Sequence, residues 1–464
     1  MAVNLSEPSG RAPSRRSFLW GAASCLALAG CADVAYESPK ASVADRFDGA
    51  APARGDEAQA RNWWLAFRDD ELNRLVAAGQ ARNLDVQQAL AAIEEARAAA
   101  DATGAADLPQ VSGSAAATRG NQQGTGTSGT TSAGLGVSWL LDIFGANRNS
   151  RKAAAARLDA AYLSADVARL MMESAIAQAY VALRYHQESI ALTKRSITSR
   201  KRSLELTKAQ VEAGDASRLD QIQAEQLVAE GEAQLPAFET GFDQALAQLA
   251  TLTAERSATL RPRLQRGAAQ PKPRFKASVG VPAQVVAARP DVRMAERTYA
   301  AAAFEVGVAK AAFYPSVSLS GSITPTDIRH GGSISYWAVG PQIDLPIFTG
   351  GANRANLKGA EARAVQAKLA WEAAVLTAIE EIESGLAAYN RDGRAIAAQS
   401  RLVSTSAEAV DLSRANFSYG EGSFMSVLDA ERSYLTAQEG LAAAERQRAS
   451  DFITLSVAAA GGTR

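Results

Sequence analysis

The chain holds two cysteines and two histidines in 464 residues, only 6% aromatic residues, and no surplus of either charge. Both cysteines, Cys25 and Cys31, lie near the N-terminus, so the rest of the chain has no C-x-x-C metal site, disulfide framework or thiol nucleophile. The histidines, His186 in what reads as a long helix and His330 in a predicted loop, suggest no cooperating acid–base pair, and no Gly-rich nucleotide loop accompanies them. These absences argue against an enzyme. The formal net charge is 0, from 49 basic and 49 acidic side chains, so the chain shows no nucleic-acid footprint. Few aromatics also speak against thick compact cores and suit narrow, alanine-lined seams between helices.

The N-terminus is a different kind of sequence. Arg11, Arg15 and Arg16 precede an apolar run from Phe18 to Leu28, too short to cross a bilayer as a helix of about 20 residues. This is the layout of a signal peptide over residues 1–30. Its end, Leu28-Ala29-Gly30-Cys31, resembles a lipobox, which makes Cys31 the acylated first residue of a lipoprotein and a covalent lipid the only non-protein group expected. Ala32, rather than an aspartate, follows the cysteine and favours the outer membrane. "SRRSFLW" at 14–20 also fits a twin-arginine address, so both export routes stand. Residues 31–60, rich in Ala, Pro, Ser and Asp, read as a tether. In "NWWLAFRDDELNRLVAAG" at 62–79, Trp63, Trp64 and Phe67 are expected to pack a short element against the body.

The body is written twice. "GANR" occurs at 145–148 and 351–354, and the same offset of 206 relates Asp85 to Asp291, Pro109 to Pro315 and Ala224-Glu225 to Ala430-Glu431. A period this long marks duplication of a half-molecule rather than a short solenoid repeat. The halves run over 61–255 and 290–460, with an inter-repeat linker at 256–289. Each opens with an alanine-rich helix, the first led by Asp85 and the second by Pro290.

After each helix a proline comes and the period changes. "LGVSWLL" puts Leu135, Val137, Trp139 and Leu141 on one face, and "VSLSGSI" at 317–323 alternates in the same way. Strands are expected at 111–119 with 135–142, and at 317–323 with 334–345. The first pair is joined by a polar tip at 120–134. Such strands suit either an aqueous sheet or the wall of a membrane barrel. Four strands cannot close a barrel in lipid, so the membrane reading requires several chains. Residues 152–212 and 358–418 then run without proline, about 90 Å of helix each if unbroken. Glycine-bearing turns follow, at 212–220 and 419–429, and helices return to about 253 and 457. Gly145 and Gly351 are expected to turn the chain out of a strand. Asn147 and Asn353 are expected to satisfy free amides where the long helices begin.

In this order, "LAGC" at 28, the aromatic element at 63–75, "ARPDVRMAE" at 288, "VGVAKAAFYPSVSLSGS" at 306, "IDLPIFTGGANRA" at 343 and "VLDAERS" at 427 resemble the outer-membrane efflux proteins, the TolC-like channels, and among them the NodT-type lipoproteins. The resemblance implies a mainly α protomer with a membrane β-barrel part. A homotrimer would close a twelve-stranded barrel in the outer membrane above a periplasmic helical cylinder. It also implies a periplasmic adaptor docking at the tips, around Gly214, Gly420 and Gly422, and an inner-membrane pump that is proton-driven. The same resemblance places the channel constriction at Asp429, with Ser426 where some relatives carry a further aspartate and with Asp220 as the approximate counterpart in the first half. The expected function is a passive conduit for drugs, toxic compounds or metal ions. A type I protein exporter and a non-conducting lipid-anchored scaffold are the alternatives.

Overall fold

The computed structural model describes residues 35–40, 47, 62–122, 126–274, 282–329 and 332–460. The signal peptide, Cys31, most of the tether and His330 lie outside them. A 3-10 turn, Trp63–Phe67, is followed by α1 (Asp70–Arg82), α2 (Leu84–Ala105), β1 (Gln110–Gln122), β2 (Gly126–Leu141), α3 (Ala146–Ala213) and α4 (Arg218–Leu252). Two short helices come next, α5 (Ser257–Leu264) and α6 (Pro282–Ala288). The second half repeats the first order with α7 (Pro290–Ala311), β3 (Ser316–Ile328), β4 (Gly332–Asp344), α8 (Ala352–Ser418) and α9 (Phe424–Ala459).

The chain forms two compact units. The first, built mainly from Glu94–Ala160 and Ala295–Ala370, contains one antiparallel four-stranded sheet in the order β1-β2-β3-β4. Its register puts Val111 opposite Val137, Leu135 opposite Ile323, Trp139 opposite Leu319 and Ile323 opposite Trp337. Toward the helical end one face is therefore apolar, and most of its large side chains are exposed, whereas toward the loop end the same face carries Arg119, Thr131, Asp327 and Ser333. The opposite face carries Ser112, Ser138, Ser318, Ser320, Ser322 and Gln342, with Thr118 and Thr130 sharing a hydroxyl bond of 2.6 Å. The strands are longer than their sequence pattern suggests. Residues expected in the polar tip at 120–134 continue the ladder until Gln122 faces Gly126. Backbone pairing holds a strand together without an apolar face, so periodicity misses that extension.

The second unit comprises Lys40–Ile93, Ala161–Met294 and Trp371–Arg464, and its described core lies among the long helices. Ile176, Tyr180 and Leu183 of α3, Leu246 and Leu249 of α4, Ile382 of α8 and Phe452 of α9 are all fully buried. Trp63, Trp64 and Phe67 are buried with them, Phe67 meeting the Phe452 ring edge-on at 5.2 Å. The 256–289 stretch is more than a linker, since Leu260, Leu264, Val285 and Val286 of α5 and α6 have no exposed surface. The tether reading also needs correction at its described residues. Tyr36 packs on Tyr299 and Phe304 and donates a hydrogen bond of 2.5 Å to Glu296, while Phe47 is buried. Two aromatics are enough to lay a polar segment onto a helical surface.

Candidate functional site

The GANR stretches lie where strand becomes helix. Gly145 and Gly351 hold φ of 81° and 90°, in the left-handed region that favours glycine, and Ala146 and Ala352 already begin the helices. The asparagines do not cap those helices. Asn147 donates instead to the Ala106 carbonyl at 3.2 Å, and Asn353 to the Ala312 carbonyl at 2.6 Å. Each satisfies an orphan carbonyl just past the end of the preceding helix and so fixes helix, sheet and helix together. In the first copy the amide of Arg148 donates to the Asp142 carboxylate at 2.8 Å.

The hairpin turns are built alike. Gly214 and Gly420 have φ of 85° and 77°. The amide of Asp215 reaches the Gln210 carbonyl at 2.8 Å, and that of Glu421 reaches Asn416 at 2.9 Å. With Gly214 bonded to Val211 and Gly420 to Phe417, both turns are Schellman closures, which place a left-handed residue at the helix end. Gly422 sits close against the helix end, where an added Cβ would stand 3.2 Å from that of Asn416, tighter than an ordinary contact. Behind the turns Leu204, Ala224, Leu227, Val228, Phe424, Val427 and Leu428 form one buried cluster, with Phe417 packed against it.

Asp429 and Ser426 are exposed on the first turns of α9. The Ser423 hydroxyl accepts the Ser426 amide at 3.3 Å. Asp220 forms a capping box with Ser217, accepting the Ser217 amide at 3.0 Å and its hydroxyl at 2.7 Å. The 206 offset makes Asp220 the counterpart of Ser426, and Gln223 that of Asp429. The pairing of Asp220 with Asp429 is corrected accordingly: Asp220 is engaged in starting its own helix.

A buried polar network centred on Glu431, within one turn of Asp429, had no signal in the sequence beyond the repeated Ala-Glu pair. Glu431, 7% exposed, accepts Arg414 at 2.6 Å and the Ser203 hydroxyl at 3.2 Å, while Arg414 also reaches Ser199 at 2.8 Å. Arg200 donates to the Leu227 carbonyl at 2.7 Å, and burial pulls its pKa down against the carboxylates of Glu230 and Glu431. A cavity of about 390 Å³ opens beside Arg414 and Glu431. The His186 ring packs against Gly241 and Phe238, and burial, then Arg446, lowers its pKa.

With this geometry in place, known proteins supply a context. The family model described as "Outer membrane efflux protein" matches residues 75–255 and again 281–461, one match for each repeat. Nodulation protein T of Rhizobium leguminosarum bv. viciae is 40% identical over 433 residues, covering 92% of this chain and 89% of that protein. Outer membrane protein OprJ of Pseudomonas aeruginosa is 32% identical over 449 residues, 92% of either chain. Among solved structures, the outer-membrane channel OprN superposes with a TM-score of 0.86 at 29% identity, over 93% of this chain and 99% of its own.

Proposed function

Because the chain belongs to the outer membrane efflux protein family, we propose that three copies close one twelve-stranded barrel in the outer membrane. Their long helices then form a passive periplasmic conduit, fed through an adaptor by an inner-membrane pump. The observation that carries this reading is the sheet, with one exposed apolar face, one serine-rich face, and edges β1 and β4 unpaired among the described residues. Lipid suits the first face, water the second, and unpaired backbone in lipid requires a neighbour. The conduit carries small molecules and performs no chemistry of its own.

Finer roles belong to the same proposal. Cys31 carries the lipid, the Schellman turns at Gly214 and Gly420 with neighbouring Gly422 meet the adaptor, and Asp429 lines the constriction. Three Asp429 carboxylates brought together repel one another and attract cations. The purified protein should have the mass of three chains once bound detergent is subtracted, and should conduct in planar bilayers. Asp429→Ala should lose cation preference. A conducting single chain would sink the shared barrel, and unchanged selectivity in the alanine variant would remove Asp429 from the constriction.

A further inference from the structure

We propose that the cavity at the helical end of the sheet binds flat aromatic cations passing through the conduit, held by Asp344 and by the rings of Phe144 and Tyr314. The proposal rests on the conduit reading above and adds a binding step to it. The cavity, of about 410 Å³, opens where β2 leaves the sheet and β3 enters it, and its volume falls within the range of roughly 300–1,000 Å³ that holds drug-sized molecules. Its lining within the strands is Leu140, Ser316 and Asp344, with Leu141 the one residue from the apolar face. Leu140 faces Ser318, and Ser316 faces Asp344, which puts these side chains on the serine-rich face. That face meets water in the conduit, so cargo reaches the cavity without entering lipid.

The charge of the lining has one sign. Among the described residues it holds Asp142 and Asp344 and no lysine or arginine. Asp142 is partly committed, since its carboxylate accepts the Arg148 amide. Asp344 is exposed and has no ion pair among the described residues. Lys310 and Arg354, each next in sequence to a lining residue, are exposed and stand outside the lining. Beside the carboxylates Phe144 and Tyr314 stack at 5.0 Å with their planes 13° apart, and both rings stay partly exposed. Nearly parallel rings give a fused ring system a flat apolar wall, and their faces attract cations as well. An anion would be repelled by both carboxylates.

The duplication shows that the fold does not require these groups. Under the 206 offset Asp344 corresponds to Ser138, Asp142 to Phe348, Phe144 to Gly350 and Tyr314 to Leu108. The asparagine tie recurs in both repeats, whereas all four cavity groups differ. A junction of helix and strand is therefore built without an acid at these places and without a stacked pair. A conduit also needs such a site to be weak, because cargo held tightly blocks passage. An open cavity with one uncommitted carboxylate meets that need.

The test is a titration of the purified full chain in neutral detergent with ethidium, a flat aromatic cation, followed by fluorescence anisotropy, with fluorescein as an anionic dye for comparison. The wild type should bind ethidium saturably and fluorescein not at all. Asp344→Asn should weaken ethidium binding roughly tenfold, and Asp344→Glu should keep it. Tyr314→Leu should weaken it and Tyr314→Phe should not. A wild type that binds no ethidium, or binds fluorescein as well, overturns the site whatever the variants do. Equal ethidium binding by the wild type and Asp344→Asn overturns it too, and unchanged binding in Tyr314→Leu overturns the aromatic wall. In planar bilayers ethidium should interrupt the wild-type current, and less so that of Asp344→Asn. A wild type that carries no current overturns the conduit reading, while the titration still decides the cavity.

Discussion

The two repeats share bonds that their side chains alone do not predict, and differ at positions that look interchangeable in an alignment. Asn83 caps α2 and also donates to the Leu252 carbonyl at 2.9 Å. At the corresponding place the second repeat has Arg289, which donates to the Ala458 carbonyl at 2.9 Å. The carbonyls themselves correspond under the 206 offset, so one tie is made by two different residues. Arg289 goes further and binds Asp291 and Glu381 at 2.7 and 2.6 Å. Glu225 and Glu431 diverge more. The first accepts a glutamine of its own helix at 2.9 Å, whereas the second is buried against Arg414. At the sheet, the inner strand β2 leads to Asp142, which bonds its own chain, while the edge strand β4 leads to exposed Phe348. The bonds that recur hold each repeat together, and the differences fall where the halves have different neighbours.

The largest test of this asymmetry is a change of pH. Burial pushes Glu173 in α3 up from 4.5 to about 7, with Gln80 and Arg169 pulling the other way, and the second repeat has Ile379 at this place. The folded protein holds this proton more tightly than the unfolded chain does. Its contribution is therefore complete below pH 4.5 and is lost as pH rises through about 7. The expected loss is roughly 3 kcal/mol across that window, read as a fall in melting temperature, and Glu173→Gln should flatten that fall. A wild type equally stable at both ends of the window would contradict the burial argument.

Removing Arg414 comes next. Arg414→Ala leaves the Glu431 carboxylate, 6% exposed, without its cation and should cost roughly 2 kcal/mol, discounted because Arg414 itself is half exposed. Glu225→Ala should stay within about 0.5 kcal/mol. Thermal melts of the two variants side by side sharpen the contrast between the repeats, and equal losses would erase it. The smallest effect concerns the shared frame. Asn147→Ala and Asn353→Ala should each cost about 1 kcal/mol or less, nearly equally, and the double variant should lose the sum. A silent Asn353→Ala beside a damaging Asn147→Ala would show that the repeated bond does unequal work.

The sequence by itself determined the duplication, the kind and order of the elements, the apolar face of the strands and the places where the chain turns. These are local properties. A period of two or of three to four residues reports the backbone shape, and a glycine at positive φ reports the turn, whatever lies nearby. Only the tertiary structure decided which atoms meet. Asn147 reads as a helix cap, yet the end of the preceding helix brings the Ala106 carbonyl within 3.2 Å and takes the donor. Asp220, expected as the approximate counterpart of Asp429, is held by Ser217 in a capping box that starts its own helix. Tyr36, Phe47 and the short helices α5 and α6 stand in stretches whose composition suggests tether and linker, and there a few apolar side chains found a surface elsewhere in the chain. A polar group bonds to whichever complementary atom another segment places about 3 Å away, and no window of sequence contains that segment.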